Sequence, residues 1–233
     1  MTQLQNNHGQ PIGAPIENWR PCGWPPHAIL SGNYCHLEPT VADHAPQLHE
    51  AFVDKGEDHY WTYLPYGPFT HFEAFKTWLD KTTQDKDPQF YTIFDGVTGK
   101  AVGVASYLRI QPAIGSIEVG HIHFSTLLQQ KPAATEAMFL LMKHAFDDLG
   151  YRRYEWKCDA LNDPSRRAAE RLGFQFEGVF RQHTMYKGRN RDTAWFSILD
   201  SEWAVCKQAF EGWLAPSNFD ADGLQVKRLA DFR

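Results

Sequence analysis

The hydrophobic period changes from two to 3.6 across one short polar turn in the middle of this chain, and few folds accommodate that change. Before the turn, Ile114-Gly-Ser-Ile-Glu-Val-Gly-His-Ile-His-Phe124 alternates like a strand. After it, Ala134, Ala137, Met138, Leu141, Ala145, Phe146 and Leu149 recur at helical spacing. The link is Gln129-Gln130-Lys131-Pro132-Ala133-Ala134-Thr135. Pro132 suits the first helical turn, where its missing N–H would be unpaired in any residue. Gly150 stands where a left-handed helix stop is expected. A strand feeding a helix N-terminus turns several backbone N–H groups outward, with the positive end of the helix dipole behind them, and this favours a phosphate. Many strand–helix units bind nothing, so the pattern argues for a ligand only in company.

The 233 residues are enough for one sizeable core with extensions. A formal charge of −5, from 23 basic and 28 acidic residues, gives no basic field, so nucleic acid is not an expected partner. There is no run of 18 apolar residues, which argues against a membrane span. The first ten residues have neither a basic nor an apolar region, so no secretory signal is expected. Cys22, Cys35, Cys158 and Cys206 are scattered with no C-x-x-C pair, and read as reduced, buried thiols of a cytoplasmic protein.

Residues 1–30 are polar and carry Pro11, Pro15, Pro21, Pro25 and Pro26, which predicts an extended arm on the surface or on a partner subunit. Trp19 and Trp24 suggest that the arm docks, and a homodimer is one way for it to do so. Tyr34–Glu38 is a first strand; Asp43 can cap a helix through Leu48, Ala51 and Phe52. An aromatic loop, Trp61–Phe69, precedes a helix for which Thr70 and Glu73 offer a capping box. Phe90–Asp95 and Ala101–Ile110 flank the turn Gly96–Lys100 and predict a hairpin. Gly99-Lys100 is no nucleotide loop, because the spacing to Gly96 is short and Ala101 replaces Ser or Thr. Arg152–Ala160 is a strand, Pro164–Leu172 a helix capped by Asn162 or Asp163 and closed by Gly173. Phe174–Arg181, Met185–Lys187 and Asp192–Leu199 are strands, with Gly188–Arg191 a tight polar turn and Arg189 and Arg191 at a solvated tip. Ser201 starts the last helix, and a polar tail follows from Ala215. The order is mixed α/β, without the repeated βαβ rhythm or G-x-G-x-x-G of a doubly wound nucleotide-binding sheet.

That order and three local patterns resemble the GNAT superfamily of acyl-CoA-dependent N-acetyltransferases, and within it the branch of the ribosomal-protein alanine N-acetyltransferases. Gln129-Gln-Lys-Pro-Ala-Ala134, continued by Thr135-Glu-Ala137, is similar to the family's Q/R-x-x-G-x-G/A loop. Asn162-Asp-Pro-Ser165 followed by Leu172-Gly-Phe174 resembles its N-x-x-S and G-F step, and Glu118-Val-Gly120 its E-[IV]-G strand. Leu37-Glu-Pro39, Tyr66-Gly-Pro-Phe69 and Lys187–Asp192 resemble the same branch, and the likeness covers roughly residues 30–214. The implied fold is a mostly antiparallel central sheet with a splayed parallel strand pair and helices on both faces. The implied division is an arm at 1–30, an acetyltransferase domain at 31–214 and a tail at 215–233. Pro132 departs from the pattern: it replaces the family's central glycine and removes one donor N–H from the loop.

The resemblance implies acetyl-CoA as co-substrate and a primary amine, on a protein N-terminus or a small molecule, as acceptor. The pantetheine arm would pair with the backbone of His123 and Phe124. The pyrophosphate would meet the loop Gln129, Gln130, Lys131, Ala133, Ala134 and Thr135 through backbone N–H. Asn162 and Ser165 would steady the arm, although helix capping explains both equally well. Glu118 is the candidate base, since an alkylammonium near pKa ~10 must lose a proton before it attacks a thioester. Gly120, Ile122 and Phe124 are expected on its face, a setting that raises a buried carboxyl's pKa. Tyr154, Cys158 and Ser165 are candidate acids for the leaving thiolate, and none stands out. Trp61, Tyr63 and Tyr66 would line the acceptor pocket, or simply a core. His121 and His123 share a face but lack a third ligand, so no metal is expected. A non-catalytic acyl-CoA-binding or interaction module is the alternative from another class. Succinyl-CoA as donor lacks an identifiable cationic cluster.

Overall fold

The structure, a computed structural model, describes residues 4–233; the first three residues of the arm lie outside the described residues. Among the described residues eight strands form one sheet in the order β1-β2-β3-β4-β5-β6-β8-β7. They are β1 (Leu30–Ser31), β2 (Cys35–Pro39), β3 (Gln89–Asp95), β4 (Ala101–Gln111), β5 (Ser116–Phe124), β6 (Arg153–Asp159), β7 (Gln175–Tyr186) and β8 (Arg189–Leu199). All neighbours are antiparallel except β5 and β6. Five α-helices accompany them: α1 (Ala45–His49), α2 (Phe72–Thr82), α3 (Pro132–Lys143), α4 (Asp163–Leu172) and α5 (Asp200–Leu214).

Strand alternation sorts the side chains into two cores. Ile117 and Val119 of β5, with Tyr154 and Trp156 of β6, pack under α3, α4 and α5. Phe90, Phe94 and Val104 pack on the other face with Phe52, Trp61, Phe75 and Leu79 of the α1–α2 region. Pro132 opens α3 with Lys131 as N-cap, and Gly150 takes φ 75° after a π-turn over His144–Asp148. Asn162 Oδ1 accepts from the N–H of Ser165 at 3.2 Å and caps α4, which ends at Gly173 with φ 105°.

Four local expectations change. α2 is capped by His71, whose Nδ1 accepts from the N–H of Ala74, rather than by Thr70. A 3₁₀ turn at Ala42–His44 with Val41 as its N-cap takes the place of an Asp43 cap, and α1 starts at Ala45. β7 is one continuous strand whose irregular pairing at 176–178 and 180–184 absorbs the polar interruption. Its hairpin to β8 turns on Lys187 and Gly188 alone, both at positive φ (49° and 69°), so Arg189 and Arg191 lie within β8.

The arm lies on its own chain. Trp19 Nε1 donates to Ala113 O at 2.9 Å, the N–H of Cys22 to Pro112 O at 3.0 Å, and Tyr151 Oη to Gly23 O at 3.1 Å. Trp24 sits under the Lys86 ammonium, 4.7 Å from its ring centroid.

Candidate active site

β5 and β6 pair in parallel only from Ser116↔Arg153 to Val119↔Trp156. Beyond that point β5 runs on to Phe124 beside β4, while Lys157, Cys158 and Asp159 of β6 pair with β8 alone. The sheet is therefore split by a gap that opens towards the C-terminal ends of both strands. A bulge in β5 helps to open it: Gly120 faces Ser106 and His123 faces Val104, with His121 at φ 50°. This extra residue corrects the expected alternation. Gly120 stays on the face of Glu118, but Ile122 and Phe124 turn to the α3 side.

The N–H of Ser125 donates to Val102 O at 3.0 Å. Alternation along the strand then turns the backbone polar groups of Phe124 towards the gap and those of His123 towards β4. Gln129 Nε2 already donates to Phe124 O at 2.8 Å, so of Phe124's two groups the N–H is the one left without a partner among the described residues. His123 itself is 4 % exposed, with its ring centroid 4.1 Å from those of Phe52 and Trp61; burial lowers its pKa to about 3. His121 Nδ1 lies 3.2 Å from Tyr66 Oη, and burial lowers that histidine to about 4. Among the described residues no group of three or more His, Cys, Asp or Glu is placed to hold a metal.

At the foot of the gap lies the loop 125–131. The N–H groups of Gln129 and Lys131 close turns onto Ser125 O and Leu128 O, and that of Ala134 onto Lys131 O. Those of Gln130 and Ala133 find no acceptor among the described residues, whereas Thr135, the fourth residue of α3, has its N–H in the helix's own i→i−4 ladder and is not available to the loop. Gln130 sits at φ 60°, which aims this stretch outward. Two free N–H groups at the start of a twelve-residue helix line a cup whose geometry suits an anion, and Pro132 is the gap in its rim. On the far side of the gap, Ser165 Oγ accepts from Trp156 Nε1 at 3.0 Å. Cys158 is buried nearby, and burial raises its thiol pKa. Tyr154 is fully buried under α3, and its hydroxyl has no partner among the described residues.

Glu118 stands at the point where the two strands part, with 3 % of its side chain exposed. Its Oε1 accepts from Arg109 Nη1 at 2.7 Å, and Lys157 Nζ lies 2.8 Å from Oε2. Burial pushes the carboxyl pKa up, while Lys157 and then Arg109 pull it down. Lys157 is itself buried, 2.7 Å from Glu155 Oε2 and 3.8 Å above the Trp195 ring. Arg109 is different: its side chain is 52 % exposed, on a backbone at φ 47° held by Asp87, which accepts from the N–H groups of Arg109 and Ile110. Sequence reading missed Arg109 and Lys157. Both come from neighbouring strands, and only the register β4–β5–β6 brings them to Glu118.

A cavity of about 650 Å³ opens beside this cluster, lined by Arg109, Arg152, Glu155, Lys157, His183 and Trp195 among others. Of the aromatic candidates, Trp61 is 2 % exposed and belongs to the core, while Tyr63 and Tyr66 are half-buried. Tyr63 Oη donates to Leu161 O at 3.1 Å, and Lys187 Nζ and Arg189 Nη2 grip the carbonyls of Trp61 and Thr62 at 2.7 and 2.8 Å. Arg189 is therefore engaged rather than solvated.

A split mixed sheet with free amides in the loop beside the split is the scaffold of an acetyltransferase-type fold. The acetyltransferase (GNAT) domain profile matches residues 35–175, and the chain belongs to that family. A GCN5-related N-acetyltransferase from Brucella melitensis is 50 % identical, superposes with a TM-score of 0.91, and is matched over 93 % of this chain and 99 % of its own. The uncharacterized N-acetyltransferase p20 of Bacillus licheniformis is 31 % identical over 49 % of this chain; the match spans 64 % of p20. The Salmonella typhimurium enzyme described as modifying the N-terminal serine of ribosomal protein L7/L12 shares the fold, at 22 % identity and TM-score 0.64 over 74 % of this chain and 99 % of its own.

Proposed function

We propose that this chain transfers an acetyl group from acetyl-CoA to a primary amine, on a protein N-terminus or a small molecule, by direct attack on the thioester. The observation that carries this reading is the parting of β5 and β6 beyond Val119–Trp156, with the free N–H groups of Gln130 and Ala133 in the loop that leaves the end of β5. Those donors, with Gln129, Lys131 and Ala134 shaping the turn, would hold the diphosphate. Phe124, and His123 behind it, would border the pantetheine arm, and Asn162 and Ser165 would fix the α4 side. Acetyl-CoA supplies the activated carbonyl.

Glu118 serves as proton acceptor. Its two oxygens are not equivalent: Oε2 belongs to the buried Lys157, whereas Oε1 belongs to an exposed guanidinium. An incoming ammonium would exchange with Arg109 at Oε1 and give up its proton there, directly or through a water. The cavity beside Glu155 and Trp195 is the approach for the acceptor, with Tyr63 and Tyr66 on the loop above. Cys158 and Ser165, on the α4 side of the gap, are better placed to protonate a leaving thiolate than Tyr154, which is sealed in the core. All four cysteines are free, which supports a cytoplasmic setting; among the described residues no helix is long and apolar enough to cross a membrane.

Free thiol released from acetyl-CoA against a panel of amines and peptides tests the reading. Turnover that falls in Glu118→Gln with CoA affinity unchanged supports it; no turnover with any amine contradicts it. One observation favours a second reading, a CoA-binding module without catalysis: Glu118 already has a cation at each oxygen. CoA binding with no acyl transfer would select that reading.

A further inference from the structure

Six side chains from four strands form a ladder of alternating charge across the sheet face that carries Glu118. Arg109 of β4 donates to Glu118 of β5 at 2.7 Å, and Lys157 Nζ of β6 lies 2.8 Å from Glu118 and 2.7 Å from Glu155. Arg153 then donates to Glu155 at 2.6 Å and grips both oxygens of Glu177 on β7 at 2.8 and 2.5 Å. With every member ionised, three cations face three carboxylates and the ladder is neutral. Its two ends differ. Glu177 also accepts from Ser197 Oγ at 2.7 Å, which closes that end. Arg109, at the other end, is half-exposed on the wall of the cavity through which the acceptor approaches. Four cations line that cavity, Arg109, Arg152, Arg153 and Lys157, against one carboxylate, Glu155. His183 on the same wall has its pKa lowered first by burial and then by the charges of Arg191, Arg109 and Lys157.

An acceptor ammonium that takes the place of Arg109 at Glu118 Oε1 upsets this balance. It brings one more positive charge into a neutral ladder whose inner members are shielded from water, and it leaves the displaced guanidinium without an anion. Like charges held close in a poorly solvated site repel strongly. A carboxylate on the acceptor itself removes both costs. It keeps the site neutral, and it offers the freed guanidinium fork a bidentate partner. Arg109 can follow such a group, because its side chain is long and exposed while Asp87 pins only its backbone. The ammonium and the guanidinium meet at one oxygen, so the carboxylate must lie close to the amine. We infer that the acceptor is an amine with its own carboxylate nearby, and that Arg109 is the residue that selects it. A free α-amino acid and a peptide beginning with aspartate both present this chemistry. The inference rests on the reading of Glu118 as proton acceptor, and the test separates the two.

Thiol release from acetyl-CoA, with each rate referred to the free-amine fraction of its acceptor, provides the readout. Amino acids are each paired with their amides, which reads a free α-carboxylate. C-terminally amidated peptides beginning with Asp are paired with those beginning with Asn, which reads a side-chain carboxylate. In at least one set kcat/KM should favour the carboxylate by roughly 10–100-fold, the scale of one or two charge-assisted hydrogen bonds. Most of that ratio should lie in KM, because Arg109 holds the acceptor and does not react. Arg109→Gln should bring the ratio to within about threefold. Arg109→Lys, which keeps the charge without the fork, should leave an intermediate value. A general effect of residue 109 on Glu118 would lower both members of a pair alike and leave the ratio standing. Turnover with no carboxylate preference in either set, or a preference that survives Arg109→Gln, overturns the inference while the acetyl-transfer reading stands. If no acceptor of any kind turns over, that reading itself fails and the inference falls with it.

Discussion

The ammonium of Lys157 lies 2.8 Å from Oε2 of Glu118, and both side chains are at least 95 % buried. The pair joins β5 to β6 at the last point where they are hydrogen-bonded neighbours, just before the sheet splits. It therefore fixes the candidate base and the geometry of the gap together. Removing one partner of a buried pair leaves the other uncompensated. Lys157→Met should cost about 3–5 kcal/mol, because it strands Glu118 beside Glu155. Arg109→Gln, which removes an exposed guanidinium, should cost under about 1 kcal/mol. Urea unfolding midpoints of the two variants check this; equal losses would mean that the two cations hold Glu118 alike.

Glu118→Gln should lower kcat by about 10²–10⁴-fold, the range of a general base. Because burial holds the Glu118 pKa above the usual carboxylate range, wild-type kcat/KM should rise with pH through an ionisation displaced upward from that of an ordinary Glu. That limb should vanish in the variant. A pH–rate profile unchanged in shape would remove Glu118 from proton transfer.

His123 offers a stability test of known sign. Its folded-state pKa is depressed from 6.5 to about 3 by burial alone. A depressed histidine contributes stability that is full above pH 6.5 and is lost as the pH falls towards about 3, because the unfolded chain binds the proton first. At about pH 4.5 the loss is roughly 2–3 kcal/mol. His123→Phe keeps a ring against Phe52 and Trp61 and breaks no hydrogen bond among the described residues, where Nδ1 has no partner. The variant should match wild type at neutral pH and exceed it in acid, read from unfolding midpoints at both pH values. Equal acid losses in the two proteins would contradict the assignment.

Glu136 ties the N-terminal strands to α3. Its carboxylate accepts from the N–H groups of Asn33, Tyr34 and Cys35 at 2.8, 2.6 and 2.8 Å. Glu136→Gln should cost about 1–3 kcal/mol, since one oxygen becomes a donor facing donors. Gly32→Ala should be no milder, because a Cβ there would stand 2.4 Å from the same carboxylate. Thermal unfolding measures both; a Gln variant as stable as wild type would make the loop self-supporting.

Pro132→Gly restores an N–H to the rim of the cup. One added bond to a charged group, less the entropy that glycine introduces, predicts CoA binding a few-fold to about tenfold tighter. Calorimetry decides it, and unchanged affinity would place residue 132 outside the diphosphate contact.

Much of this architecture was legible in the residues because its determinants are local. The change of period around Gln129–Thr135, Pro132 at a helix start, Gly150 and Gly173 as stops, and Asn162 capping through Ser165 each depend on neighbours within a few positions. The site was legible only in part. Glu118 is placed by the strand pattern, but its partners Arg109 and Lys157 lie on other strands and depend on register. His121 carries no mark of a bulge; an ordinary side chain at φ 50° is set by tertiary packing against Tyr66 and Phe90. That bulge is why Ile122 and Phe124 left the face of Glu118. Trp61 resembled a pocket residue and is core, since an aromatic loop looks the same whether it closes over solvent or over Phe52 and Phe75.

A crystal structure of the protein grown with CoA tests the central claim most directly. The account predicts the diphosphate within about 2.7–3.2 Å of the N–H groups of Gln130 and Ala133, with the pantetheine arm in the gap beside Phe124. CoA bound elsewhere, or a diphosphate that leaves those two N–H groups untouched, would contradict it.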